Sequence, residues 1–247
     1  MRSLEDKTTL VTGASSGIGA ATARALCAAG ARVVLAARRL ERLEALAAEL
    51  EQAEALALDV RDEAACRAAL AGRAFDVVVL NAGLGRGVEK VQDGDPAEWA
   101  EMLDTNVKGV LHVARHTIGP MIARGRGDLV FLGSVAGRQV YPGGNVYCAS
   151  KHAVRALYEA HRIDAAGTGV RVSTVDPGMV ETEFSVVRFR GDAERAQAVY
   201  RGLTPLTPED VADAILYVVT RPPHVNVGEV VLWPTDQAST TIVKREG

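Results

Sequence analysis

Short runs of aliphatic residues alternate along the chain with longer stretches in which apolar positions recur every three or four residues. The short runs fall at residues 8–11, 32–36, 55–58, 76–80, 129–132, 170–175 and 229–232. They are nearly continuous in apolar character, which is the pattern of parallel strands covered on both faces. The stretches between them predict helices. Residues 39–50 carry Leu40, Leu43, Leu46 and Leu50 at helical spacing. Thr207, Pro208, Glu209 and Asp210 form a helix start: a capping hydroxyl, a proline at the first turn, and acids near the positive end of the dipole. Val211, Ile215 and Val218 mark the buried stripe of that helix. No repeat, low-complexity segment or Pro/Gly-rich linker breaks the alternation. The pattern predicts one α/β domain over residues 1–247, doubly wound around a parallel sheet, with ligands beyond the carboxyl ends of the strands.

Composition narrows the function. The 247 residues are 48% hydrophobic and 24% charged, enough for a large core, and the net charge of -3 offers no footprint for nucleic acid. Aromatics are only 4%, so a base-stacking platform is not expected. No apolar run approaches the roughly 20 residues of a membrane span. The opening stretch, MRSLEDKTTLVTG, enters a strand without an apolar signal region. Cys27, Cys66 and Cys148 are odd in number and widely spaced, so reduced thiols in a cytoplasmic protein are expected. His112 and His116 share a helix face but lack a carboxylate or thiol partner at ligand spacing, so no metal site is expected.

The residues after the strands carry the chemistry. The first strand runs into Thr12-Gly13-Ala14-Ser15-Ser16-Gly17-Ile18-Gly19 and then an Ala-rich helix. Glycines there permit a tight turn and close approach of a pyrophosphate, and the helix start offers free N–H groups. After the second strand, Ala37 stands where a carboxylate would bind a ribose 2′-hydroxyl, and Arg38 and Arg39 follow. Guanidiniums there suit a 2′-phosphate, so the cofactor is expected to be NADP(H). Asp59 and Val60 follow the third strand, where Asp59 could meet the adenosine or cap the helix near Asp62. Asn81, Ala82 and Gly83 follow the fourth strand and could line the ribose. Ser134 follows the fifth strand. Asn106 is a polar residue inside a helical pattern and wants a partner. Tyr147 and Lys151 lie four residues apart on the helix after Gly143 and Gly144, which puts them on one face with small residues between.

Taken with Pro177-Gly178, these motifs resemble the short-chain dehydrogenase/reductase family, in order and spacing, over essentially the whole chain. The resemblance implies a Rossmann-type domain with seven parallel strands and a homo-oligomer, dimer or tetramer, with residues 107–123 and 146–166 as interface helices. It implies that Tyr147 is the catalytic acid/base, that Ser134 orients the substrate oxygen, and that Lys151 binds the ribose and tunes the phenol. Asn106 would hold a proton-relay water. Ser134 and Tyr147 would touch substrate. Pro177, Gly178, Val180 and Thr182, with Tyr147 and Lys151, would touch the nicotinamide half of the cofactor. An ammonium about 4 Å from a phenol is worth about 4 kcal/mol at an effective dielectric of ~20, so Tyr147 is expected to titrate near neutrality.

Within the family, the segments YPGGNVY, residues 188–200, LTPEDVADAI and PPHVNVGEV are most similar to NADP-dependent 3-hydroxy acid dehydrogenases of the serine/allo-threonine type. Glu181, Arg138 and Gln139 depart from that subgroup. Residues from about 178 to 206 would form the substrate loop and its helices. A 3-hydroxy acid carboxylate calls for a cation, for which Arg138, Arg188 and Arg190 are the candidates, the alternative being that they are surface arginines. Two other readings stay open: a carbonyl reductase for other aldehydes or ketones, including those of specialised metabolism, and a non-catalytic NADP(H)-sensing regulator. Cys148 occupies a variable small-residue position and is not expected to be catalytic.

Overall fold

A computed structural model describes residues 3–246. Seven strands form one parallel sheet: β1 (Thr8–Thr12), β2 (Arg32–Ala37), β3 (Ala53–Ala57), β4 (Val77–Leu80), β5 (Gly127–Leu132), β6 (Val170–Pro177) and β7 (Glu229–Leu232). Their spatial order is β3-β2-β1-β4-β5-β6-β7. The chain winds outward from β1 to β3, returns to the middle, and winds outward the other way from β4. The crevice between the ends of β1 and β4 is therefore the switch point where such sheets bind ligands.

Successive residues of the central strands point to opposite faces. Leu10, Val34, Val78 and Phe131 pack against α3 (Glu63–Leu70), α5 (Gly109–Arg124) and α6 (Asn145–Asp164). Val11, Leu35, Val79 and Val130 pack under α1 (Gly17–Ala28), α2 (Leu40–Glu49) and α9 (Pro208–Val219). Two cores, one on each face, explain the unbroken apolar runs. The edge strands differ from expectation. β3 and β7 are half exposed, because each has a neighbour on one side only. β3 also begins two residues before the apolar run, since Ala53 and Glu54 pair with Val33 and Val34 of β2.

The helix start at Thr207 is a full capping box: Thr207 and Asp210 each accept from the other's backbone N–H. Three further helices complete the site side, two of them within the substrate segment expected at about 178–206. α4 (Pro96–Leu103) leads into α5 through one π-helical turn, Asp104–Lys108. α7 (Glu183–Arg188) and α8 (Ala193–Ala198) lie beyond β6 and cover the carboxyl ends of the strands. Among the described residues no helix is long and apolar enough to cross a membrane.

Candidate active site

The glycine-rich turn joins β1 to α1. A Cβ at Gly19 would collide with the carbonyl of Gly13 and lie 2.6 Å from Asn81 Nδ2, so only glycine lets α1 start this close to β4. Asn81 reaches across from the end of β4 and donates to the carbonyls of Thr12 (2.7 Å) and Gly13 (3.3 Å). Thr12 completes the splice. Its hydroxyl donates to Val79 O (3.2 Å) and accepts from the backbone N–H groups of Asn81 (3.0 Å) and Ala82 (3.1 Å). At the sequence level Thr12 was only part of the glycine motif. Ser16 opens α1 without a side-chain cap, which leaves the first-turn N–H groups facing the crevice.

One cavity of about 280 Å³ is lined by Gly13, Ser15, Ser16, Gly17, Ile18, Gly19, Arg38, Arg39, Asp59, Val60, Asn81, Ala82 and Gly83. These are the residues read as cofactor-binding outside the nicotinamide end. Arg39 lies over the turn: Nε and Nη2 donate to Ser15 Oγ (3.1 and 2.9 Å), and Nη2 also to Ser16 Oγ (2.8 Å). Ala37 is buried at the end of β2, and no carboxylate stands in that position. Asp59 resolves its two alternatives. The cap of α3 is Asp62, whose carboxylate accepts from Ala65 N (2.9 Å). Asp59 instead pairs with Arg61 (2.6 Å), whose bonds hold its carboxyl below its usual range.

A second cavity, about 400 Å³, continues from the first past Ile18, Asn81, Gly83 and Thr182. Ser134, Tyr147 and Lys151 all line it, with Gly178 and Val180. Pro177 does not; its carbonyl lies 3.5 Å behind Ser134 Oγ. Ser134 also accepts from Ala136 N (3.1 Å), which fixes the start of a 3₁₀ turn, and it hydrogen-bonds the Tyr147 side chain. Lys151 donates to the Leu132 carbonyl at 2.9 Å.

The titration expectation for Tyr147 does not hold. Burial pushes its phenol well above the ordinary tyrosine value, and the nearby Tyr141 adds to the rise; Arg188 and the Ser134 hydrogen bond oppose it. The Lys151 ammonium gives one hydrogen bond to the Leu132 carbonyl, and burial lowers it to about 8, although Asp176 pulls it back up. The cation lying over the Tyr147 ring is Arg188, 4.8 Å from its centre.

Asn106 sits in the π-helical turn, buried. Its Oδ1 accepts from Leu84 N (2.8 Å), and its Nδ2 donates to Leu84 O (2.8 Å) and Ser150 Oγ (3.0 Å). Ser150 in turn donates to Tyr147 O (2.7 Å), so the amide ties α5 to the loop after β4 and to α6. His112 contacts Val60 O (2.9 Å) and His116 contacts Glu63 (3.0 Å). The three cysteines are free, and burial raises the Cys66 thiol to about 11 and pushes Cys148 up as well.

The short chain dehydrogenase family model matches residues 7–192. The chain belongs to the short-chain dehydrogenase family. Sulfoacetaldehyde reductase 2 of Chromohalobacter salexigens is 46% identical over 238 residues, 93% of this chain and 94% of that one. The NADP-dependent 3-hydroxy acid dehydrogenase of Salmonella typhi is 43% identical over 93% of this chain and 95% of its own. The closed form of a serine dehydrogenase complexed with NADP⁺ superposes with a TM-score of 0.92 at 38% identity, covering 97% of this chain and all of that one. As a member of this short-chain dehydrogenase family, the chain is an oxidoreductase acting on hydroxyl or carbonyl groups.

The structure also sorts the three candidate arginines. Arg138 donates to Asp176 (2.6 Å) and to Glu229, so both its faces are taken, and it does not line the cavity. Arg190 is on the surface with Glu98 (2.5 Å) and Asp95 (3.5 Å). Neither is free to meet a substrate. Arg188 is inside the cavity with Tyr141, Phe184 and Tyr200, three aromatics to which no role was given from sequence. The YPGGNVY segment carried the signal for Tyr141; Phe184 and Tyr200 sit in the loop segment with nothing local to distinguish them.

Proposed function

We propose that the protein is an NADP-dependent dehydrogenase/reductase of a short alcohol or carbonyl compound bearing an anionic group, with 3-hydroxy acids as the substrate class. The observation that carries the substrate reading is Arg188. Its Nη2 donates to Tyr141 Oη (2.8 Å), its Nε is buried without a partner, and it lies over the Tyr147 ring. Gly85 leaves the guanidinium its room; a Cβ there would lie 2.9 Å from Nε. A buried guanidinium donor with no acceptor is costly, and a substrate carboxylate would satisfy it. The relatives named for 3-hydroxy acids, serine and a sulfonated aldehyde act on small compounds of this kind.

The crevice residues fit NADP(H). Gly13 and Gly19 leave space for a pyrophosphate at the open start of α1, Ser15, Arg38 and Arg39 suit a 2′-phosphate, and Asp59 with Val60 would border the adenine. When bound, the cofactor supplies or accepts the hydride. Ser134 would donate to the substrate oxygen. Tyr147, kept protonated by burial, would deliver its proton to the oxygen of a carbonyl being reduced and recover it in the reverse direction. Lys151 would bind the ribose and compensate the phenolate formed. Asn106 acts on this view as a brace, holding Tyr147 through Ser150. The carboxylate of the substrate would lie on Arg188, which places its 3-carbon near Tyr147 and Ser134.

The test is a panel of 3-hydroxy acids, their oxo forms, sulfonated aldehydes and neutral ketones. Tyr147→Phe should lower kcat by about 10²–10⁴-fold while NADPH still binds. Arg188→Gln should cost about 10–100-fold in kcat/KM on anionic substrates, and little on neutral ones. Equal turnover of neutral ketones, untouched by Arg188→Gln, would remove the anion reading. Equal inertness of wild type and Tyr147→Phe, with NADPH bound tightly, would favour the regulator.

A further inference from the structure

One of the two arginines read as the 2′-phosphate corner, Arg39, already holds an acid, and it comes from the helix over the substrate cavity. Glu183 is the first residue of α7. Its carboxylate accepts from Arg39 Nη1 at 3.0 Å and from Arg42 Nη1 at 2.7 and 2.9 Å. The Arg42 and Arg39 hydrogen bonds hold that carboxyl below its usual value. Arg39 spends Nε and Nη2 on Ser15 and Ser16, so every arm of this guanidinium is engaged. A phosphate dianion arriving at Ser15 must take donors from these partners.

The pairs are weak enough to yield. Arg39, Arg42 and Glu183 are each 43–50% exposed, the range in which ion pairs are screened and inexpensive to exchange. Arg42 offers the displaced carboxylate a second seat with two hydrogen bonds already made. Helix α7 is rigidly connected to this point. Thr182 caps α7, and its Cγ2 would lie 3.2 Å from a Cβ at Gly17, so the helix start rests on the glycine-rich turn. Arg188, at the other end of the same six-residue helix and about 7.5 Å along its axis, faces the substrate cavity.

We propose that Glu183 is a specificity-determining residue that competes with a 2′-phosphate for Arg39, so that it weakens affinity for a phosphorylated cofactor and not for its dephospho counterpart. The inference rests on the NADP reading above. Glu183 thereby weakens cofactor phosphate binding, which favours release of NADP(H) after turnover.

The test uses 2′-AMP and 5′-AMP as probes, titrated calorimetrically against wild type, Glu183→Gln, Arg42→Gln and Arg39→Ala at low ionic strength. Glu183→Gln should bind 2′-AMP several-fold more tightly, with the gain shrinking in high salt and 5′-AMP affinity unchanged. Arg42→Gln should weaken 2′-AMP, because Glu183 is then left on Arg39 alone. Unchanged or weaker 2′-AMP binding by Glu183→Gln overturns the proposal, and if Arg39→Ala still loses 2′-AMP selectively the NADP reading survives. If wild type prefers 2′-AMP no more than 5′-AMP, both fall.

Discussion

Lys151 and Tyr147 are one helical turn apart, yet burial shifts both towards their neutral forms and so moves their titrations in opposite directions. Lys151 titrates near 8 in the folded protein against 10.5 for an ordinary lysine. Between those values the unfolded chain binds more protons than the folded one, so this residue makes stability rise with pH. From pH 8 to 10, Lys151→Met should therefore lose a pH-dependent gain on the order of 2 kcal/mol relative to wild type, read as the difference in urea unfolding between the two pH values. A mutant whose stability keeps the wild-type slope would show that the ammonium is not the group responsible. The tyrosine does not interfere in this window, since its raised titration starts to count only above the ordinary value of 10. Spacing alone led to the opposite expectation for the phenol. Spacing sets which residues share a face, whereas a titration also depends on desolvation and on where the cation's hydrogen bonds go. Both belong to the packed interior.

At the scale of elements, the strands were legible because each residue of a buried parallel strand must be apolar whichever face it points to. The exceptions are instructive. β3 slid two residues from its apolar run because an edge strand takes its register from its one neighbour. The polar residue in a helical pattern, Asn106, did turn out to need partners, but the π-helical turn that aims it was not visible, since one extra residue per turn leaves no periodic trace over five residues. That turn depends on the amide. Asn106→Ala would leave both backbone groups of Leu84 and the Ser150 hydroxyl short of a partner, at a cost of roughly 2–3 kcal/mol. Denaturant unfolding gives the stability, and kcat should fall with it because α6 carries Tyr147. A loss below about 0.5 kcal/mol would show that the loop after β4 finds other partners.

At the scale of the whole molecule, one hydroxyl joins the two halves of the sheet. Thr12 bonds Val79, Asn81 and Ala82, and so sets the width of the crevice at the switch point. Thr12→Val keeps the shape and leaves two backbone N–H groups unpaired in the interior. We expect a loss of about 1–3 kcal/mol in stability and weaker binding of NADP(H). Unfolding and calorimetric titration of the same variant check both, and an unchanged cofactor affinity would mean that Asn81 alone holds the turn in place. Much of the site was readable at this scale. The glycine turn, the paired arginines, Ser134, Tyr147 and Lys151 all follow strand ends, and a doubly wound sheet gathers strand ends at one edge. The contacts of α7 were not readable. Glu183 lies 144 residues from Arg39, and Arg188 lies 47 from Tyr141.

The sequence alone determined the sheet, its parallel sense, the glycine-rich turn after β1 and the triad of polar side chains, because each of these is written in local spacing and in which residue follows a strand. The tertiary structure alone decided which arginine lines the cavity beside Tyr147, which acid pairs with Arg39 and in which direction burial shifts the phenol. Those are consequences of distance and desolvation between segments far apart in the chain, and neither quantity exists until the two faces of the sheet are covered.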